Sequence, residues 1–518
     1  MIHPYSHYPA RAARHWPDHI ALIDGNRQRT YAELNANADA IALGLMRLGL
    51  KPGGRVALIQ HNCIEYVESV IGIARAGGAL VPMLGALTES EHTFMLQDAE
   101  AKFLIVMTPE SVQQALASAG DDMEVLSFHS AERITDLSNL PDADTENPPL
   151  VDLPPASIAH ILYSSGTTGR PKGITHSYAS VAAAMNFWEQ TFRLQPDDNL
   201  LGQLALSHFG GRAMDSCWVA GGTLVILPEA DPVAILDAIE KHKISMMLAV
   251  PTLLRILLDH PKADTADLSS LRAVVYGASP AAPSLVRRAK QKLGAVLYTG
   301  FGQTEAYCLN TFMGPEEHEQ SLAGKEERLT SVGRECTQAQ VRIRNDEGID
   351  VEKGEVGEIW ICAPWVTPGF WHRPDLDEAR LVGGWLRTGD LGRVDADGYF
   401  YLADRKEDMI ITGGFNVYPA EVENALMEHE AIAECGVYSV PDEKWGEAIN
   451  ASVVLRSGYE ATADELLAFV KTQLARFKVP KAIHIVDELP KTAVGKILRR
   501  VLREPYWKDQ QSGIHGAE

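Results

Sequence analysis

Cysteine is scarce: there are 6 in 518 residues, at positions 63, 217, 308, 336, 362 and 435, with no C-x-x-C pair. That excludes a disulfide framework, offers no zinc spacing and fits a reduced compartment. Positive charge is also in deficit, 47 Lys and Arg against 69 Asp and Glu, for a formal net charge of −22. A broad nucleic-acid face needs the opposite sign, so nucleic acid is not an expected partner. Long apolar runs are missing. The most apolar stretch, ISMMLAVPTLLRILL (244–258), is broken by Pro251 and Arg255. It reads as a buried strand and a helix rather than a membrane span. Residues 1–19 have no apolar core, so no signal peptide is expected, and the location expected is cytoplasmic. Internal repeats are absent.

What is present is an ordinary globular balance, 46% hydrophobic and 22% charged. The length exceeds one core and implies two or three domains. Early segments alternate helix and strand patterns. TYAELNANADAIALGLMRLGL (30–50) has apolar residues at helical spacing, with Thr30 as N-cap and Glu33 completing a capping box. RVALIQ (55–60) reads as a buried strand, EYVESVIGIARAG (65–77) as a helix, and ALVPM (79–83) and KFLIVM (102–107) as further strands. This rhythm implies parallel sheets covered by helices.

Residues 136–156 are rich in Pro, Asp and Asn and read as a surface connection. From about 335 to 404, short strands with Asp-Gly and Glu-Gly turns imply a β-rich subdomain. After Arg405, helix and strand patterns alternate again in a compact α+β unit, with a loose tail of about a dozen residues expected. The fold class is α/β. A large domain, 1–404, combines helix-covered parallel sheets with the β-rich subdomain, and a small α+β domain spans 405–518.

The stretch YSSGTTGRPKG (163–173) has the makings of a phosphate cradle. Gly166, Gly169 and Gly173 permit tight turning, and successive N–H groups in such a turn form an anion nest. Ser164, Ser165, Thr167 and Thr168 add hydroxyls, and Lys172 adds a point charge suited to phosphate. The Walker pattern fails, because Pro171 and Gly173 stand where it needs Gly and Ser/Thr. On composition alone, a flexible surface loop is the lesser, competing reading of the stretch.

Four other clusters raise its weight. YTGFGQTEAY (298–307) puts Gly300 and Gly302 beside Phe301, Thr304 and Glu305, and a carboxylate beside a triphosphate suits Mg²⁺. WLRTGDLG (385–392) presents Asp390, which could accept two ribose hydroxyls or simply form a turn. ADRKEDMIITGGFNVYPAEVE (403–423) joins charges to a Gly413–Gly414 turn, and alone would mean only a solvated linker. LPKTAVGKILRR (489–500) puts Lys496 after a glycine and before an amphipathic helix.

Together, in this order, these five segments resemble the acyl-adenylate-forming (AMP-binding) superfamily, on its acyl- and aryl-CoA synthetase branch. The resemblance runs from about Tyr31 to Arg500. It implies that Ser164, Ser165, Gly166, Thr167, Thr168, Gly169 and Lys172 hold the ATP phosphates. Gly277, Ala278 and Ser279 (in YGASP, 276–280) would pack on adenine. Phe301 would lie near its other face, and Thr299, Gly300 and Gly302 would belong to the same nucleotide site. Thr304 would touch the α-phosphate, Glu305 the Mg²⁺, and Asp390 the ribose with Arg405 assisting. Lys496 would act in adenylation, the small domain would rotate about Glu407, and Gly413 and Gly414 would serve the CoA step. The family more often has Asp or Lys at the pivot.

The implied enzyme is an ATP- and CoA-using acid–thiol ligase for a hydrophobic acid, whether aryl, arylalkanoic, medium-chain or polycyclic. His208, Phe209, Gly210, Met214, Trp218 and Tyr307 are its candidate acyl-pocket residues. Two alternatives stand beside it. An amino-acid adenylation enzyme that loads a carrier protein needs a pocket Asp, and Ser207 or His208 stands at that place, with Asp215 further on. A non-catalytic nucleotide-binding relative would have lost site residues, yet Lys172, Glu305, Asp390 and Lys496 are all present. Oligomeric state stays open, a homodimer included.

Overall fold

The computed structural model describes residues 4–107, 117, 122–128, 135–137, 151–165, 171–278, 281–294, 297–405, 408–412, 415–442, 444–492 and 497–507. The helix Tyr31–Arg47 starts as expected. Thr30 Oγ accepts from the Glu33 N–H at 3.2 Å, while the Glu33 carboxylate accepts from the Thr30 N–H at 2.8 Å. Two of the orphan donors at the helix end are satisfied this way.

Two seven-stranded sheets dominate. The first runs Leu297–Thr299, Ala273–Tyr276, Met246–Ala249, Asn199–Gly202, Thr223–Ile226, Ile20–Asp24, Arg27–Thr30. The second runs Thr135–Asp136, Glu124–Ser127, Phe103–Val106, Arg55–Gln60, Ala79–Leu84, Ile158–Ser165, Pro171–Ser177. Each is parallel except for one antiparallel pair at its end. Strands such as Ala79–Leu84 are buried on both faces, so they read as unbroken apolar runs. Leu34, Ile41, Val67, Trp188 and Trp218 belong to the main core, which lies among the helices and sheets.

A five-stranded antiparallel sheet follows, built from Gln340–Arg344, Gly357–Cys362, Leu381–Val382, Trp385–Val394 and Phe400–Arg405. Its apolar face packs on Phe301 and Ala306. A second five-stranded sheet, Ile410–Thr412, Phe415–Val417, Ile432–Asp442, Gly446–Leu455 and Ala482–Ile485, is covered by Pro419–Met427 and Ala463–Gln473. Its core, from Ile410 to Ile483, draws only on residues of this C-terminal stretch. Among the described residues, no helix is long and apolar enough to cross a membrane.

Candidate functional site

The described residues of this stretch are the two arms of a hairpin. Tyr163–Ser165 end one strand and Pro171–Gly173 open its antiparallel partner, with Ser164 opposite Lys172. Pro171 is the first residue of an edge strand, where no ladder donor is needed. Gly173 lies close under Trp371: a Cβ there would sit 3.0 Å from the Trp371 Cβ. The expected loop residues Gly166, Thr167, Thr168 and Gly169 lie outside the described residues, as do Ser279, Glu407, Gly413, Gly414 and Lys496. The backbones of Ser165, Phe209, Met214 and Arg405 are described.

Lys172 Nζ lies 2.9 Å from Glu305 Oε1, and its ammonium stands 5.2 Å from the Phe370 ring centroid. Burial pushes the Glu305 carboxyl up, but the Lys172 charge and hydrogen bond, with Arg380 further off, outweigh it and hold the group below the usual carboxylate range. Glu305 is on a short 3-10 turn, Thr304–Ala306, fixed from two sides. The Thr367 N–H donates to the Glu305 carbonyl at 2.8 Å, and His176 Nε2 lies 2.8 Å from the Thr304 carbonyl. Segment 367–371 is itself sewn to the lysine-bearing strand. The Thr367 hydroxyl donates to the Thr175 carbonyl at 2.7 Å, and the Trp371 N–H donates to Gly173 at 2.8 Å.

The glycine-rich strand ends adjoin this pair. Tyr276 and Thr299 are register partners, so Gly277 and Ala278 emerge beside Gly300. Ala278 and Tyr307 both have positive φ, +67° and +49°. Backbone strain of this kind gathers at functional sites. Gly300 and Gly302 allow close approach: added Cβ atoms would lie 2.2 Å from the Thr311 carbonyl and 2.5 Å from the Cys308 carbonyl. Phe301 is buried against the antiparallel sheet, and its N–H donates to Thr311 Oγ1 at 3.0 Å.

Asp390 stands within the strand Trp385–Val394 rather than in a turn, opposite Arg405 in the ladder. Arg380 links that strand to the rest: its guanidinium donates to the Thr388 carbonyl at 2.6 Å while its charge reaches Glu305. His208 precedes the helix Phe209–Ala220, and its Nδ1 lies 2.8 Å from the Ser207 hydroxyl. Gly210 fits under the Leu204 carbonyl, where a Cβ would approach to 2.5 Å. Trp218 is buried in the main core. The Tyr307 hydroxyl lies 2.9 Å from His160 Nδ1 and donates to Asp215 at 3.3 Å.

The structure therefore brings Lys172, Thr304 and Glu305 together, with Gly277, Gly300 and Phe301 adjoining and Asp390 linked through Arg380. Sequence reasoning missed Phe370, Thr367, His176, His160 and Arg380. Each acts through contacts between distant segments, so no local pattern announces it. Among the described residues, no group of three His, Cys, Asp or Glu could hold a metal. One ionised carboxylate such as Glu305 suits only a cation that phosphate oxygens and waters complete, as Mg²⁺ is. A separate cleft of about 840 Å³, lined by Phe187, Phe312, Arg334, Glu335 and Phe400 among others, shares none of these site residues.

Residues 9–371 match the family model for AMP-binding enzymes, and residues 421–496 match that for the AMP-binding enzyme C-terminal domain. The chain is 35% identical to a medium/long-chain-fatty-acid–CoA ligase of Mycobacterium tuberculosis, over 94% of this chain and 87% of that protein. It is 35% identical to a feruloyl-CoA synthase of an Amycolatopsis species, over 96% and 98%. An amide bond synthetase of Marinactinospora thermotolerans superposes with a TM-score of 0.89 at 30% identity, covering 97% of this chain and 99% of that one. ATP-bound MatB of Rhodopseudomonas palustris does so at 0.86 and 29%, covering 98% and 99%.

Proposed function

Given that the chain belongs to the AMP-binding enzymes, on the acyl-CoA synthetase branch, and is an acid–thiol ligase, we propose that its acid is hydrophobic and uncharged beyond its carboxylate: aryl, arylalkanoic, medium-chain or polycyclic. The observation that carries the mechanism is the largely buried Lys172–Glu305 pair beside the last ladder pair of the hairpin, Ser165–Pro171.

A carboxylate is a poor electrophile and repels ATP. Lys172 and Glu305 neutralise each other across 2.9 Å. When ATP arrives, Lys172 turns to the phosphates, helped by Ser164 and the 165–169 backbone. Glu305 would then be free to hold Mg²⁺, which would supply neutralisation of the triphosphate charge. Thr304 and Lys496 flank the α-phosphate, and Asp390, with Arg405, holds the ribose. The acid's carboxylate oxygen attacks the α-phosphorus and the bond to the β-phosphate breaks, giving acyl-AMP and pyrophosphate. Positioning and electrostatics supply the acceleration.

In the second step the CoA sulfur attacks the acyl carbonyl, the thiol gives up its proton, and AMP leaves with the bond to its phosphate oxygen broken. The unit from 405 to 518 turns about Glu407 between the steps, withdrawing Lys496 and bringing Gly413 and Gly414 to the site. Its self-contained core supports that division. So does the tie from Arg499, which donates to Asp408 at 3.1 Å and Glu423 at 2.7 Å.

The hydrophobic acid is supported by relatives that are ligases of fatty acids, ferulate and indoleacetate. His208, Phe209, Gly210, Met214, Trp218 and Tyr307 are the residues proposed to line or gate its pocket. A panel of carboxylic acids, read as acid-dependent pyrophosphate release with and without CoA, tests the reading. Release with a hydrophobic acid, followed by CoA thioester, is expected. Amino-acid-dependent release without CoA turnover overturns it.

A further inference from the structure

We infer that Asp215 and His160, acting through Tyr307, are positioning residues that fix the Thr304–Glu305 turn for the metal–ATP complex; this rests on the reading that Glu305 takes the ATP metal.

Tyr307 closes the turn that carries Glu305, and it does so with φ +49° and ψ −32°. A side chain with a Cβ resists that region, so the conformation persists only where the surroundings over-determine it. They do. The Tyr307 hydroxyl donates to Asp215 Oδ2 at 3.3 Å and lies 2.9 Å from His160 Nδ1. A phenol has one proton to give. With that proton on Asp215, the phenol oxygen accepts from His160 Nδ1–H, which sets the imidazole tautomer. The Tyr307 ring meets the His176 ring at 4.5 Å between centroids, and His176 Nε2 grips the Thr304 carbonyl at the other end of the turn. Tyr307, Asp215, His160 and His176 are all buried.

The anchoring elements explain what this achieves. His176 is on the strand that also carries Lys172, His160 is on its hairpin partner, and Asp215 is on the helix Phe209–Ala220. Glu305 is thereby held by the same frame as the lysine it must part from when ATP binds. A carboxylate that supplies a single ligand to Mg²⁺ depends on placement, because the octahedral geometry tolerates little error. The supporting hydrogen bonds of such a ligand bear on affinity as well.

The test is ATP binding by the full-length protein, titrated with and without Mg²⁺, for Tyr307→Phe, Asp215→Ala and Asp215→Asn. Tyr307→Phe keeps the ring on His176 and removes only the hydroxyl. We expect metal-free ATP affinity to stay within about twofold of wild type, and the Mg²⁺-dependent gain to fall about tenfold in Tyr307→Phe and Asp215→Ala. Asp215→Asn, which still offers an acceptor, should recover part of that gain. Wild-type Mg²⁺ dependence in Tyr307→Phe overturns the inference. So does an equal loss of affinity with and without metal, the mark of a merely structural role. A wild-type protein whose ATP affinity ignores Mg²⁺ overturns it together with the role of Glu305. Acid-dependent pyrophosphate release by the wild type, measured separately, decides whether the ligase reading stands.

Discussion

Lys172 and Glu305 meet at 2.9 Å with only 18% and 8% of their side chains exposed. A buried pair of this kind adds little over an apolar replacement of both partners, yet removing one partner leaves an uncompensated charge. On the proposed function the pair is a stored arrangement: Lys172 keeps the Glu305 carboxylate ionised and in place until a ligand of opposite sign draws the two apart.

Lys172→Met should cost about 3 kcal/mol at neutral pH, and the cost should depend on pH. In the wild type the Glu305 carboxyl is held below its ordinary value, so its contribution is present above the ordinary carboxylate range and lost as pH falls through the depressed value. In the variant burial, which raises the carboxyl, is opposed only by the Arg380 charge and a backbone hydrogen bond, so the carboxyl rises and stability is then lost as pH rises. The gap between the two proteins should be wide at about pH 7.5 and close towards about pH 4, bracketing the ordinary glutamate value. Urea midpoints at the two pH values measure it. A gap of equal size at both would mean that the pair does not tune Glu305.

The same substitution should separate the two half-reactions. Lys172 is proposed to hold the ATP phosphates, two of which leave as pyrophosphate, so acyl-AMP formation should fall about 100-fold. Thioester formation from supplied acyl-AMP should change little, because pyrophosphate has already left. Lys496→Ala should show the same split. Single-turnover measurements of each step distinguish this from a general defect, in which both would fall together.

Asp390→Asn should behave differently. AMP is carried through both half-reactions, so a ribose contact is used in each. Loss of charge-assisted hydrogen bonds of about 1.5–3 kcal/mol should slow both steps by about 10-fold to 100-fold, with the KM for ATP raised. A defect confined to one step would remove Asp390 from the ribose.

Some of this was legible in the sequence and some was not, for a physical reason. The Thr30–Glu33 capping box is local: both partners lie within one turn, and the structure reproduces it. The strand RVALIQ and the split of 244–258 into strand and helix are also local patterns of burial. Lys172 and Glu305 stood out by residue type and glycine company. That Lys172 belongs to a strand was not legible, because Pro-Lys-Gly has poor strand propensity. Its strand is made by tertiary context, the ladder to Ile158–Ser165 and the bridge from Ile174 to Phe370. The Asp215–Tyr307–His160 chain was invisible for the same reason. Each residue alone looks like an ordinary core or wall residue, and only the fold brings a helix, a strand and a strained turn to one point.

Two neighbouring glycines offer a last test, because the structure sets them apart. At Gly300 an added Cβ would lie 2.2 Å from the Thr311 carbonyl, a backbone atom that cannot swing away. Gly300→Ala should therefore destabilise by about 1–3 kcal/mol, the usual cost of overpacking, and weaken ATP binding by displacing the Phe301 segment. At Gly277 the nearest atom to an added Cβ is the Gly300 carbonyl oxygen at 3.7 Å, an ordinary contact, and no positive φ is required. Gly277→Ala should leave the Tm within experimental error. If this strand end faces the adenine, the new methyl intrudes on the nucleotide instead, and the KM for ATP should rise several-fold. A Gly277→Ala protein with wild-type Tm and wild-type KM would move the adenine elsewhere. A parallel loss of Tm in both variants would show that the two positions differ less than their surroundings imply.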